Sequence, residues 1–99
     1  MSEGVRIIRC CVPFCRRKRR HKEGDGEWIC AVHWRTVPPA LKAVKFKTHR
    51  EYRRRFGNTV FWKYPPGSPE RIACVEVGRA CDASWLECKR AATEIAVGI

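Results

Sequence analysis

A chain of 99 residues makes one domain, or two small lobes, and is too short for a large multidomain enzyme. Apolar residues are 44% of it and charged residues 31%, a globular rather than a disordered composition. Lys and Arg number 21 against 10 Asp and Glu, and the resulting net charge of +11 points to a polyanion or an acidic protein surface as partner.

Met1 to Arg9 lacks the apolar stretch of a signal peptide, and no run nears the ~18 apolar residues of a membrane span, so an intracellular protein without a membrane partner is expected. A core this small gains much from a staple. Seven cysteines supply one, and their odd number argues against a fully paired disulfide framework.

Residues 5 to 9 read as an extended segment entering Cys10. Cys10 and Cys15 bracket Val12-Pro13-Phe14, and Cys30-Ala31-Val32-His33 follows after a loop. Two short ligand pairs separated by a loop suit a tetrahedral ion, because each pair closes a small ring and the loop lets the pairs approach from opposite sides. Soft thiolates with an imidazole favour zinc over magnesium or calcium. The expected metal ligands are Cys10, Cys15, Cys30 and His33, one structural zinc per chain, with Cys11 a workable alternative to Cys10. Four protein ligands close the site, which makes the metal structural rather than catalytic.

The basic run Arg16, Arg17, Lys18, Arg19, Arg20, His21, Lys22 follows Cys15 directly, and Glu23-Gly24-Asp25-Gly26 supplies turn residues. Glu27 to Cys30 alternates like a strand returning to the metal, so residues 8 to 30 suggest a zinc-bearing hairpin. Trp28 and Trp34 flank the second ligand pair and are expected to cover the cluster with apolar area.

Pro38-Pro39 stops any helix begun near Cys30 and suits the first turn of a new one, with Thr36 a possible cap. From Ala40 to Phe56, within a helix predicted over 39–56, the residues Leu41, Val44, Thr48, Tyr52 and Phe56 recur on one face. The other faces hold Lys42, Lys45, Lys47, Arg50, Arg53, Arg54 and Arg55, and Gly57-Asn58 ends the helix. Thr59 to Tyr64 reads as a short strand or a buried crossing, its Trp62 and Tyr64 core residues before they are stacking platforms. Pro65 to Pro69 is a linker, and Ser68-Pro69-Glu70 starts a second helix. Beyond it Cys74, Val77, Cys81, Trp85 or Ser84, Cys88, Ala92 and Ile95 trace a helical stripe, which Gly78 splits or kinks. Cysteines seven apart on a helix lie roughly 10 Å from each other, too far for one metal or a disulfide, and act there as small hydrophobes.

Residues 1–64 hold 17 Lys and Arg against 5 acids, a net of +12, whereas residues 65–99 hold 4 against 5, a net of −1. Two parts are therefore expected: a basic zinc module over 1–64, and a linker with a C-terminal helix over 65–99 that packs on it or forms a homodimer seam. The fold class is a small, helix-rich α+β domain, a zinc-bound hairpin or knuckle packed on the basic helix with a C-terminal helical element.

Cys10-Cys11-Val12-Pro13-Phe14-Cys15 with its basic run, the segment Trp28-Ile29-Cys30-Ala31-Val32-His33-Trp34, and the terminal Trp85 to Ala92 together resemble small zinc-finger-like proteins of bacteriophages and prophages. That resemblance covers about two-thirds of the chain. It implies a zinc site whose first ligand is Cys10 rather than Cys11, a bacterial host cytoplasm, and no particular activity. The layout of knuckle, second ligand pair and helix is also similar to treble-clef zinc folds, from which Pro38-Pro39 departs by interrupting the helix after the second pair.

The expected function is nucleic-acid binding, DNA or RNA, mainly through backbone phosphates. Arg16, Arg17, Lys18, Arg19 and Arg20 and the helix residues Lys42, Lys45, Arg50, Arg53 and Arg54 are the contacts. Arg outnumbers Lys by 14 to 7, which suits bidentate phosphate binding. The alternative is an adaptor or inhibitor that grips an acidic surface of a host or virion protein. Catalysis is not expected: a small nuclease would need a general base, and His21, His49, Asp25 and Glu27 have no evident paired partner in the sequence.

Overall fold

The computed structural model describes residues 6–21 and 26–98. In chain order the elements are strands β1 (Arg6–Arg9) and β2 (Lys18–His21), a one-turn helix α1 (Ala31–Trp34), a long helix α2 (Pro39–Phe56), a 3₁₀ turn (Phe61–Lys63) and a longer helix α3 (Pro69–Val97). The protein is thus helix-rich, with one small two-stranded antiparallel sheet, an α+β arrangement. It divides into two compact units: Met1–Val37 with Lys89–Ile99, and Pro38–Cys88. Each unit takes residues from both sides of position 64.

In the first unit β1 pairs with β2 in the register Arg6↔His21, Ile7↔Arg20, Ile8↔Arg19 and Arg9↔Lys18. The strand that answers β1 is therefore the basic run itself. The expected partner, Glu27 to Cys30, makes only an isolated parallel bridge between Trp28 and Cys10, and the Cys11 N–H donates to the Trp28 carbonyl at 2.8 Å. The sequence pattern misleads here because alternation marks a half-buried segment, and Ile29 and Cys30 are buried without continuous strand pairing. Of the expected turn, Glu23 to Gly26, the first three residues lie outside the described residues, as does Lys22 before them. Val12, Ile29, Val37 and Ala92 form the buried apolar set of this unit, together with Cys10 and Cys30.

The second unit is built on α2 and the part of α3 that runs to Cys88. Pro39 sits in the first turn of α2, where its missing N–H costs nothing, and Gly57 caps the other end at φ 59°, a conformation that favours glycine. Arg53, Arg54 and Arg55 fill the last turn, where the helix dipole favours cations. Thr36 does not cap α2; its hydroxyl donates to the His33 carbonyl at 2.6 Å and closes α1 instead.

Pairs of contacts fix α2 and α3 as antiparallel. The Cys88 thiol reaches the Leu41 carbonyl at 3.5 Å, the Thr48 and Ser84 hydroxyls meet at 3.0 Å, and the Tyr52 hydroxyl lies 3.3 Å from the Cys74 sulfur. Phe56 is buried, 5.2 Å from the Tyr52 ring and edge-on to Tyr64 at 6.2 Å, and burying one such ring stabilises by about 2 kcal/mol. Tyr52 also donates to the Thr59 carbonyl at 2.6 Å, which turns the chain back after Gly57.

Several expectations shift at this level. Val44 is 51% exposed, so the buried face of α2 runs through Leu41, Thr48, Tyr52 and Phe56 without it. Thr59 to Tyr64 is neither strand nor buried crossing; its centre is a 3₁₀ turn whose Trp62 is 63% exposed.

The second helix begins as expected, with the Ser68 hydroxyl accepting from the Arg71 N–H at 3.2 Å. It then runs unbroken through Gly78, where the Tyr52 ring would meet an added Cβ at 3.8 Å, an ordinary van der Waals distance. Its buried positions are Cys74, Cys81, Ser84, Cys88 and Ala92. Ser84 rather than Trp85 carries the stripe, its hydroxyl turned to the Cys81 carbonyl at 2.8 Å, and Ile95 is exposed.

Candidate metal centre

Cys10 directly follows β1 and its N–H donates to the Arg17 carbonyl at 2.9 Å, which closes a loop carrying Cys15 back toward it. Within that loop the Cys15 N–H donates to the Val12 carbonyl at 3.2 Å, and Val12 is buried beneath the turn. Cys30 stands at the N-cap of α1, and one helical turn later that helix brings His33 to the same side, as the three-residue spacing requires. The donor atoms of Cys10, Cys15, Cys30 and His33 all lie within 4.8 Å of one another.

Two opposite edges of the donor polyhedron are Cys10 Sγ to His33 Nδ1 at 3.6 Å and Cys15 Sγ to Cys30 Sγ at 3.9 Å; a third, Cys30 Sγ to His33 Nδ1, is 3.2 Å. A tetrahedral ion with bonds of about 2.3 Å to sulfur and about 2.0 Å to nitrogen needs edges of about 3.8 Å between sulfurs and about 3.5 Å from sulfur to nitrogen. Three thiols and an imidazole at these separations could hold a metal, with Nδ1 as the histidine donor. All four ligands expected from the sequence are brought together. Cys11 is outside the cluster, and its backbone is committed to Trp28. Cys74, Cys81 and Cys88 lie buried in the second unit, as apolar side chains do.

Electrostatics divide the thiols. Burial raises the Cys10 thiol above its ordinary range, an effect opposed by the Cys30 N–H, which donates to the Cys10 sulfur at 3.3 Å. The Arg17 N–H lowers the Cys15 thiol. Cys11 is raised by burial and then by the neighbouring Cys10. Around the cluster Trp28 and Trp34 are half-buried; the Arg19 guanidinium stacks 5.8 Å from the Trp28 ring, and Lys89 pairs with Glu27.

The basic residues fall into two sets, one on each unit. Arg16, Arg17, Lys18, Arg19 and Arg20 are all exposed. Opposite residues of an antiparallel pair point to one face, so Arg9 and Lys18 share a face with Ile7 and Arg20, while Arg19 and Ile8 take the other. On α2, Lys47, Arg50 and Arg54 line one shallow surface with Glu51, and Arg53 is exposed as well. Lys42 and Lys45 are half-buried, Lys45 with its ammonium 4.9 Å from the Phe46 ring, and so are less available than the sequence implied. Arg55 pairs with Glu51 at 3.4 Å. His49 is tied to the Lys45 carbonyl through Nδ1 at 2.8 Å, and the His21 side chain lies outside the described residues.

Phe14 was passed over by sequence reasoning. It sits at φ 67°, a left-handed conformation that costs a residue with a Cβ about 1 kcal/mol or more, and its side chain is 96% exposed. The available signal was an aromatic residue after proline in a turn bracketed by two candidate metal ligands. The second unit also carries an open groove of about 570 Å³, lined among others by Tyr52, Phe61, Trp62, Arg71, Arg79 and Asp82. No helix of the described residues is long and apolar enough to cross a membrane. Comparison with protein-family models, with curated proteins and with solved structures finds no match.

Proposed function

We propose that the protein is a zinc-stabilised module of phage type that binds nucleic acid through backbone phosphates. The observation that carries the reading is the Arg9–Lys18 pair. These two cations lie directly opposite in the β1–β2 ladder and both are exposed, with Arg20 two residues further along the same face. Like charges in opposed positions destabilise a hairpin. A polyanion turns that repulsion into binding energy, since each phosphate neutralised releases condensed counterions. The run follows the Cys15 ligand directly, so a zinc ion holding Cys15 and Cys30 would fix where the cationic face begins.

Zinc is the metal of choice for three thiolates and one imidazole at tetrahedral spacing, and with four protein ligands it would serve the fold rather than a reaction. The exposed Arg50, Arg53 and Arg54 on α2 supply a second cationic surface on the other unit.

The test is binding of zinc-loaded protein to labelled single-stranded and duplex oligonucleotides of unrelated sequence across a salt series. The reading requires affinity that is general across sequences and falls linearly in log K against log salt. Absence of binding at low salt overturns it, and the basic face would then serve a protein partner.

A further inference from the structure

We propose that Phe14, at the apex of the Cys10–Cys15 turn, stacks on an unpaired base, so that this module selects single-stranded nucleic acid; the inference rests on the nucleic-acid reading above. Three observations converge on the residue. Its ring is 96% exposed, more than any other large hydrophobic side chain described. Its backbone is held at φ 67°, where glycine is the favoured residue, so its aromatic side chain is kept at a place where the fold alone is better served without one. Its turn is anchored on both sides, by the ligands Cys10 and Cys15 and by the buried Val12, so the ring has no inward route to a core position.

The chemistry around it identifies the partner. Exposed Arg16 and Arg17 follow within three residues, and Lys18, Arg19 and Arg20 continue along β2. An aromatic ring beside a cationic track is the combination that binds single strands: cations follow the phosphates while the ring takes a base face, which every base offers whatever the sequence. In a duplex those faces are covered by neighbouring pairs, and opening a step has a cost that an already unpaired base avoids. A rigid ring on a metal-pinned turn loses little freedom on stacking.

The experiment compares wild type with Phe14→Ala, Phe14→Gly and Phe14→Trp, all zinc-loaded, on a labelled single strand of about a dozen nucleotides and on a duplex of equal length. Wild type is expected to prefer the single strand. Phe14→Ala should lose about 5- to 150-fold on the single strand, the worth of one base–aromatic stack, with the salt slope, duplex affinity and zinc content unchanged, and Phe14→Trp should retain wild-type affinity.

Phe14→Gly separates binding from folding: it should melt higher than wild type yet bind the single strand as weakly as Phe14→Ala. Variants that bind the single strand like wild type overturn the inference and leave the phosphate reading standing. So does an equal loss on both strands with an altered salt slope. A wild type that binds neither strand at low salt overturns both.

Discussion

The Cys30 N–H donates to the Cys10 sulfur at 3.3 Å, across a separation of 20 residues. The bond joins the first ligand pair to the second through the start of α1, and it stabilises the negative sulfur that a metal requires. The cluster therefore ties together segments of the first unit, whose apolar core among the described residues is a handful of side chains.

Loss of one ligand should consequently cost more than that core can make good. Cys30→Ser and His33→Ala are each expected to lose the metal and the cooperative unfolding of the first unit, because a structural metal held by this cluster would couple binding to folding. Circular dichroism with metal analysis checks this, and unchanged melting with one zinc still bound would contradict it.

The cysteines outside the cluster should behave differently. Cys11→Ser and Cys81→Ala are expected to retain one metal per chain. Cys81→Ala removes a buried sulfur and should cost about 1 kcal/mol. Loss of the metal from either variant would show that the partition of thiols is wrong.

Tyr52→Phe tests the second unit. It strips the Thr59 carbonyl of its donor at a half-buried site and should cost about 1 kcal/mol. Hydrogen bonding with Cys74, and burial after it, push the Tyr52 hydroxyl up to about 12 from an ordinary 10.0. The folded state thus favours the neutral phenol. Its contribution is complete below about pH 10 and disappears as pH rises toward 12. Denaturant unfolding followed through that window should show a steeper alkaline loss in wild type than in Tyr52→Phe; parallel curves would contradict the assignment.

The two cationic surfaces are separable by charge removal. Arg50→Ala with Arg54→Ala should reduce the slope of log K against log salt by about one for each phosphate no longer neutralised, evenly across sequences. Lys18→Ala with Arg20→Ala should do the same for the β2 face. A pair of substitutions that leaves the slope unchanged identifies a surface not used.

Much of this was legible in the chain, and for local reasons. Cys15, Cys30 and His33 declare themselves by spacing, and a one-turn helix after Cys30 delivers the histidine as that spacing requires, whereas spacing alone leaves Cys10 and Cys11 open and the fold brings Cys10 into the cluster. The limits of α2 follow from Pro39 and Gly57, and the start of α3 from Ser68. What escaped was decided by tertiary contact. The pairing of β1 with the basic run puts cation opposite cation, which no local preference would choose. Trp62 looks like a core residue by type yet lies exposed on a 3₁₀ turn. The stripe was left open between Trp85 and Ser84, and tertiary contact decides for Ser84, whose hydroxyl meets Thr48 and the Cys81 carbonyl inside the unit.

Cobalt titration of the metal-free protein tests the central claim most directly. Three thiolates and an imidazole should bind one cobalt per chain, with the visible absorption of a tetrahedral site and sulfur-to-metal charge transfer. Zinc should displace it, and helical signal should rise with the first equivalent. A protein that folds fully without metal, or takes up cobalt with an octahedral spectrum, would contradict the account.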